Sequence, residues 1–414
     1  MACPRWRKLT LQTVALLLLA IVLLLRYSGN FLAHPPFLMD FEVYRTVALR
    51  VLHGQADQLY APTYSSLALF KYAPVWAFAW VPFAVLSSHA GSVLWTTVSV
   101  AAFIAACALT QRVCRLAGLS SWAWAPIAAT LLLTRVLNEE FLNGQTDTVW
   151  VLLMVLGVYG VLANRLWLGA ISFALAISLK LPALLFVAYF LLTRRWKLAG
   201  QILAYAAVFN VAGSWCLAPQ APWKPLATWL QTLAASAPTR AFEIGAQSFV
   251  ALCTRYLTAD AYPLHLVSMP GPVAVGLALL VEVALFGWLV VSSRARQSRV
   301  HLVLDSAMLI LMAALFSPTA WLATYTVLVA PLLIAMSLLA TRLRRILRDA
   351  PSGVLLLAVL MMSWLTHRKA WLLFGIKRIA SEEYVFLVVM TAPWFALALL
   401  AWLGRQRRVG FPDA

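Results

Sequence analysis

The stretch MDFEVYRTVALRVLHGQADQLY places Asp40 and Tyr44 one helical turn apart. A carboxylate there can accept the proton of an incoming hydroxyl, provided it reaches a bound acceptor. The plainer reading is a solvated acid on an interfacial helix. NEEFLNGQTDTVW is a polar interruption between two apolar runs, with Asn143, Gly144 and Gln145 at its centre. Buried amides are costly unless they bond to protein or ligand, so this is either a sugar-contacting turn or a satisfied loop. In ISLKLPALL, Lys180 sits in an apolar stretch beside Pro182. Ionisable groups at such depth are usually paired or functional, and a lysine point charge suits a lipid phosphate. Snorkelling to the interface is the alternative.

Three further stretches carry weaker signals. KYAPVWAFAWVPF, with Pro74, Pro82, Trp76 and Trp80, reads as an amphipathic interfacial helix that lines a lipid groove or simply forms part of an aromatic belt. Gln247 and Ser248 in GAQSF, and Ser317, Pro318, Trp321 and Tyr325 in SPTAWLATY, are polar islands near apolar runs. Glu282 and Asp305 fall inside apolar segments, where packing or hairpin pairing accounts for them more simply than proton relay.

The elements that must position these residues are membrane helices. The 414 residues are 63% hydrophobic and 11% charged, with a mean hydropathy of +0.86, against about 25% charged for a soluble globular chain. Apolar runs of crossing length recur with no long soluble stretch between them, so a single all-α polytopic membrane domain over residues 1–414 is expected. The net charge of +18 resides in short clusters between apolar runs, which argues for positive-inside topology and against nucleic acid. Five cysteines without paired spacing give neither a disulfide framework nor a zinc site.

Residues 9–26 follow Arg5, Arg7 and Lys8 and lack a small-residue cleavage site, so they read as a retained first helix starting in the cytoplasm. Placing the basic clusters from Arg112 and Arg115 through Arg405, Arg407 and Arg408 inside leaves residues 27–90 as a long outer segment, with 72–87 at the interface. Further crossings are expected at 91–112, 122–137, 147–163, 166–179, 183–193, 198–217, 271–292, 301–316, 321–340, 354–365 and 384–403. This gives about twelve helices, a second outer segment at 218–270, cytoplasmic termini, and a hairpin broken near Lys180 and Pro182. The rival topology lets 72–87 cross and makes 166–193 one helix. Under the first topology the acids Asp40, Glu42, Asp57, Glu139, Glu140, Asp147, Glu243, Asp260, Glu382 and Glu383 all face outward, as do the polar stretches. The chemistry is expected on that face of a cell membrane.

In this order the stretches resemble glycosyltransferase family 87, polyprenol-phosphate-sugar-dependent, mannosyltransferase-like enzymes with the GT-C membrane fold. The resemblance rests on DFEVY with Gly54 and Leu59-Tyr60, KYAPVWAFAWVPF as a Tyr-Pro-Pro-like segment, NGQTD, SLKLP and SPTAW. It implies an inverting transfer of a hexose or pentose, mannose foremost, from a polyprenyl-phosphate sugar to an outer acceptor glycan or glycolipid. Asp40 would be the general base, and Tyr44, Tyr72, Asn143, Gln145, Lys180, Gln247, Ser317 and Trp321 would contact substrate. No metal or other cofactor is implied, because basic side chains can stabilise the departing phosphate. The sequence departs from the pattern at Ala73 in place of the first proline, at Asp147 where asparagine is usual, and at Leu322-Ala323-Thr324 where many members carry histidine.

Two other classes compete. A secondary transporter or flippase would show related halves and midplane breaks, and no internal repeat is evident. A noncatalytic membrane scaffold of the same fold is the other.

Overall fold

The structure is a computed structural model describing residues 4–66, 68–240, 246–259, 265–294 and 298–346. The described residues are helical throughout, joined by turns and loops, with no strand among them. The chain runs through α1 (Pro4–Leu24), a π-helical turn at Leu25–Gly29, and short α2 (Asn30–Ala33) to α3 (Met39–Leu52). Short α4 (Pro74–Ala79) and α5 (Val81–Ala84) precede the long α6 (Ser88–Leu116). Next come α7 (Ala125–Leu132), α8 (Thr134–Asn143), α9 (Asp147–Leu162), α10 (Leu166–Leu179), α11 (Leu184–Leu192), α12 (Trp196–Leu217) and α13 (Trp223–Arg240). The remainder comprises α14 (Phe249–Leu257), α15 (Gly271–Arg294), α16 (Arg299–Leu315), a 3-10 segment at Leu322–Leu328, and α17 (Val329–Ile346).

Five described helices are long and apolar enough to cross a membrane, at Leu11–Ala33, Ser88–Leu116, Trp196–Leu217, Gly271–Arg294 and Leu322–Ala340. A sixth would be α8 with α9, if a pair bent by 113° counts as one span. The protein is thus a multi-pass membrane protein, with five or six spans of full crossing length among the described residues against about twelve crossings expected over the whole chain. Two of the expected crossings are short helices, as their bounds in the sequence imply. Helices α10 and α11 have 14 and 9 residues, below the roughly 17 that a bilayer requires. The expected crossing at 122–137 is also redrawn, because α7 stops at Leu132 and a separate α8 runs on to Asn143. The expected crossings at 354–365 and 384–403, and the acids Glu243, Asp260, Glu382 and Glu383, lie outside the described residues.

The chain divides into two compact units. One comprises Leu17–Ala106 and Asn138–Thr239. Its centre is the antiparallel pair α9 and α10, turned by Asn164, which adopts a φ of 58°. Small residues let the two backbones approach, since a Cβ on Gly160 would lie 2.4 Å from the Gly169 nitrogen. After α10 the chain folds back, and the rings of Phe173 and Phe186 meet at a tilt of 30° with centroids 4.5 Å apart. The hairpin read from the break at Lys180 and Pro182 is therefore present.

The other unit comprises Met1–Leu16, Cys107–Leu137 and Arg240–Ala414. Its described core is α16, buried along nearly its whole length. Ser248 and Ser298 cap α14 and α16, each hydroxyl accepting a backbone N–H three residues on.

Candidate functional site

Helix α3 starts after Pro35-Pro36 and carries Asp40 and Glu42 in its first turn, where unpaired backbone N–H groups favour carboxylates. Phe41, Val43, Tyr44, Val47 and Ala48 are buried, which fixes the helix rotation and leaves Asp40 half-buried at the edge. One turn on, Tyr44 stacks on Trp80 with ring centroids 4.3 Å apart.

The NGQTD stretch forms the sharp turn between α8 and α9. Gly144 takes a φ of +71°, and the Gln145 N–H returns to the Glu140 carbonyl at 2.9 Å, a glycine-dependent helix stop. A Cβ on Gly144 would meet the Phe41 Cβ at 2.9 Å, so glycine also permits the close approach of α3. The Trp95 indole N–H donates to the Gly144 carbonyl at 2.9 Å and pins the turn from α6.

This approach brings most of the sequence-predicted residues together. The Gln145 amide donates to Asp40 Oδ2. The Tyr44 and Tyr72 hydroxyls lie 2.7 Å apart, and Tyr72 also meets the Thr146 hydroxyl at 2.8 Å. Tyr60 donates to the Tyr72 carbonyl at 3.1 Å. Burial raises the Tyr44 phenol well above the ordinary tyrosine range, with the nearby Tyr72 and Asp40 adding to it. Burial pushes Tyr72 up to about 12, with Lys180 and the hydrogen bonds from Thr146 and Tyr44 pulling the other way. Both phenols are therefore neutral donors at physiological pH.

Lys180 stands on an extended residue between α10 and a 3-10 turn at Leu181–Ala183. Its ammonium lies 2.6 Å from Asp147 Oδ1 and 5.6 Å from the centre of the Trp150 ring. Both Glu140 and Asp147, expected as outward-facing acids, are fully buried. Glu140 Oε1 accepts the Thr148 N–H at 2.9 Å, while Glu140 Oε2 and Asp147 Oδ2 have no protein partner.

Two departures from the family pattern are put to use here. The Ala73 N–H donates to the Ser178 carbonyl at 3.0 Å, a bond that proline could not make. The Trp76 indole donates to the Leu175 carbonyl at 3.3 Å, so the aromatic segment is tied to the end of α10 that presents Lys180. Asp147, in turn, is the lysine's counter-ion.

Four predicted residues lie elsewhere. The Asn143 amide turns back to the Glu139 carbonyl at 2.9 Å and the Glu139 carboxylate at 3.3 Å, and so serves its own helix end. Gln247, Ser317 and Trp321 belong to the other unit. There the Gln247 N–H donates to the Ala320 carbonyl at 2.7 Å, and Tyr325 donates to the Gln247 carbonyl, joining GAQSF to SPTAW. The Ser317 hydroxyl lies 3.5 Å from that of Thr319, and the Trp321 N–H donates to the Thr324 hydroxyl at 3.2 Å.

Sequence reasoning missed Thr146, Glu140 and the pairing of Asp147 with Lys180. For the last a signal was available, since a lysine among apolar residues needs a counter-ion and Asp147 opens the helix that pairs with α10.

Among known proteins, the chain is 29% identical over 236 residues to a polyprenol-phosphate-mannose-dependent alpha-(1-2)-phosphatidylinositol mannoside mannosyltransferase of Mycobacterium tuberculosis, covering 52% of this chain and 53% of the relative. The protein of the same description from Mycolicibacterium smegmatis is 29% identical over 225 residues, 50% of this chain and 49% of the relative. The chain thus spans about half the length of the curated relatives it matches. The family description "Glycosyltransferase family 87" matches residues 70–318, which take in Tyr72, Gln145, Asp147 and Lys180 and stop short of Asp40. That match spans more than half the sequence, and with it the bent α8–α9 turn and the lysine-bearing break, so the chain belongs to glycosyltransferase family 87.

Proposed function

We propose that the protein is a membrane glycosyltransferase that moves a sugar, mannose foremost, from a polyprenyl-phosphate donor to a glycan or glycolipid acceptor on the outer face. The observation that carries this reading is the union, in one unit, of an acid and a cation suited to opposite ends of the reaction. Asp40 is bonded to Gln145, Tyr72 is bonded to Thr146, and Lys180 is bonded to Asp147, three successive residues of one turn.

In the proposed reaction the acceptor oxygen forms its bond to the anomeric carbon as its proton passes to Asp40. The bond from that carbon to the phosphate oxygen breaks with inversion, and the electron pair leaves with the phosphate. Lys180, assisted by neutral donors and not by a metal, takes up the charge of the departing phosphate. The relatives' names supply the donor and an acceptor class, polyprenol-phosphate-mannose and phosphatidylinositol mannoside. Both are carried to this chain as part of the proposal.

The test is purified protein given a panel of labelled polyprenyl-phosphate sugars, with release of polyprenyl phosphate followed by chromatography. Release that requires an acceptor and is lost in Asp40→Asn is the expected result. Movement of intact substrate across a vesicle membrane, without cleavage, would overturn it in favour of a transporter.

A further inference from the structure

The pairing of Lys180 with Asp147 is asymmetric in its access to solvent. The Asp147 side chain is 0% exposed and that of Lys180 is 18% exposed, so of the two only the lysine side chain is open to an approach from outside the fold. The ammonium has three donors, and the 2.6 Å contact with Asp147 Oδ1 uses one of them. It can therefore hold a second anion while still paired.

The backbone that carries each partner is held in place. Asp147 sits in the first turn of α9, and the backbone at Lys180 is held by its N–H to the Ala176 carbonyl at 2.9 Å. Two residues earlier, the Ser178 carbonyl is held by the Ala73 N–H, and the Ser178 hydroxyl accepts from the Asn210 amide at 2.9 Å. The lysine thus carries a fixed negative charge at its back.

We infer that Asp147 is a positioning residue acting through Lys180: it fixes the ammonium in place and loosens its grip on the spent lipid phosphate, so that product leaves. This rests on the reading of Lys180 as the phosphate contact. The chemistry of donor and product makes the effect selective. The donor is a phosphodiester with one negative charge, whereas the product is a phosphomonoester carrying about 1.5 to 2 near neutral pH. A fixed carboxylate behind the lysine opposes the product more than the donor. One unit charge a few ångströms beyond the lysine, in a setting of intermediate dielectric, changes anion affinity about ten- to hundredfold.

The experiment compares donor KM, kcat and the inhibition constant of added polyprenyl phosphate in detergent-solubilised wild type, Asp147→Asn and Asp147→Asn/Lys180→Met. In Asp147→Asn the product inhibition constant should fall about ten- to hundredfold and donor KM by less, with kcat reduced by slow release. The double variant should lose both gains. A ratio of product to donor affinity that is unchanged or lowered in Asp147→Asn overturns the inference, because a merely structural role would not raise it. If Asp147→Asn fails to accumulate, Asp147→Ser is measured against the same criterion. Wild-type protein that neither turns over nor is inhibited by polyprenyl phosphate refutes the proposed function and this inference with it. Active wild type with an unmoved ratio refutes the inference alone.

Discussion

The hydroxyls of Tyr44 and Tyr72 lie 2.7 Å apart in a buried contact that joins α3 to the segment leading into α4. Tyr72 passes the connection on to Thr146 at 2.8 Å, so Tyr72→Phe leaves two buried hydroxyls short of a partner. The expected cost is about 1 to 3 kcal/mol, read as a lowered unfolding midpoint in detergent. The same pair gives a pH signature. Tyr72 is raised towards about 12 in the folded protein against an ordinary 10, so above about pH 10 the unfolded chain loses this proton first. Stability should fall as pH rises through that window, and less steeply in Tyr72→Phe.

Asp40→Asn keeps an oxygen able to accept the Gln145 amide, so the turn should stay tied to α3. It removes the basic group. Transfer should drop about a hundred- to ten-thousandfold while donor binding stays near that of wild type. Turnover at the wild-type rate would show that Asp40 is not the base, and Glu42 or a carboxylate near NGQTD would be tested next.

Lys180→Met leaves the fully buried Asp147 without its cation. Removing one partner of a buried pair costs about 3 to 5 kcal/mol, and the low end applies because the lysine is partly exposed. Asp147→Asn/Lys180→Met should recover most of that loss in a thermal unfolding assay. Equal stability of single and double variants would contradict the pairing.

Two glycines with positive φ separate backbone strain from crowding. Gly54 has a φ of +69° and nothing within 4 Å of the methyl that alanine would add, so Gly54→Ala should cost only about 1 to 2 kcal/mol of left-handed strain. Gly144→Ala adds contacts at 2.9 Å to Phe41 and 3.2 Å to Leu38, and should be more destabilising and lower turnover by displacing α3 from the turn. Comparable losses in the two variants would count against the close approach.

Gln58 is exposed at the end of a 3-10 turn in the segment expected outside. A cysteine introduced there should react with a membrane-impermeant thiol reagent in intact cells. Labelling only after permeabilisation would reverse the orientation read from the basic loops.

What the sequence determined by itself was local. Composition alone fixed a helical membrane protein, because apolar residues at this density have no soluble fold to enter. The 3.6-residue period put Asp40 and Tyr44 on one turn of α3, Pro182 ended α10 at Lys180, and Gly144 marked the turn. Even the meeting of Lys180 with Asp147 was implicit, since α9 and α10 are antiparallel helices of 16 and 14 residues, about 24 and 21 Å long. Tertiary structure decided which side chains complete the site. Asp40 and Gln145 are 105 residues apart, and Tyr72 and Thr146 are 74 apart. Their contacts depend on how closely Gly144 lets α3 approach and how tightly Gly160 and Gly169 seat α9 on α10. Helical periodicity gives the face a residue occupies, while its partner is set by the depth and register of packing between helices, which no local pattern encodes.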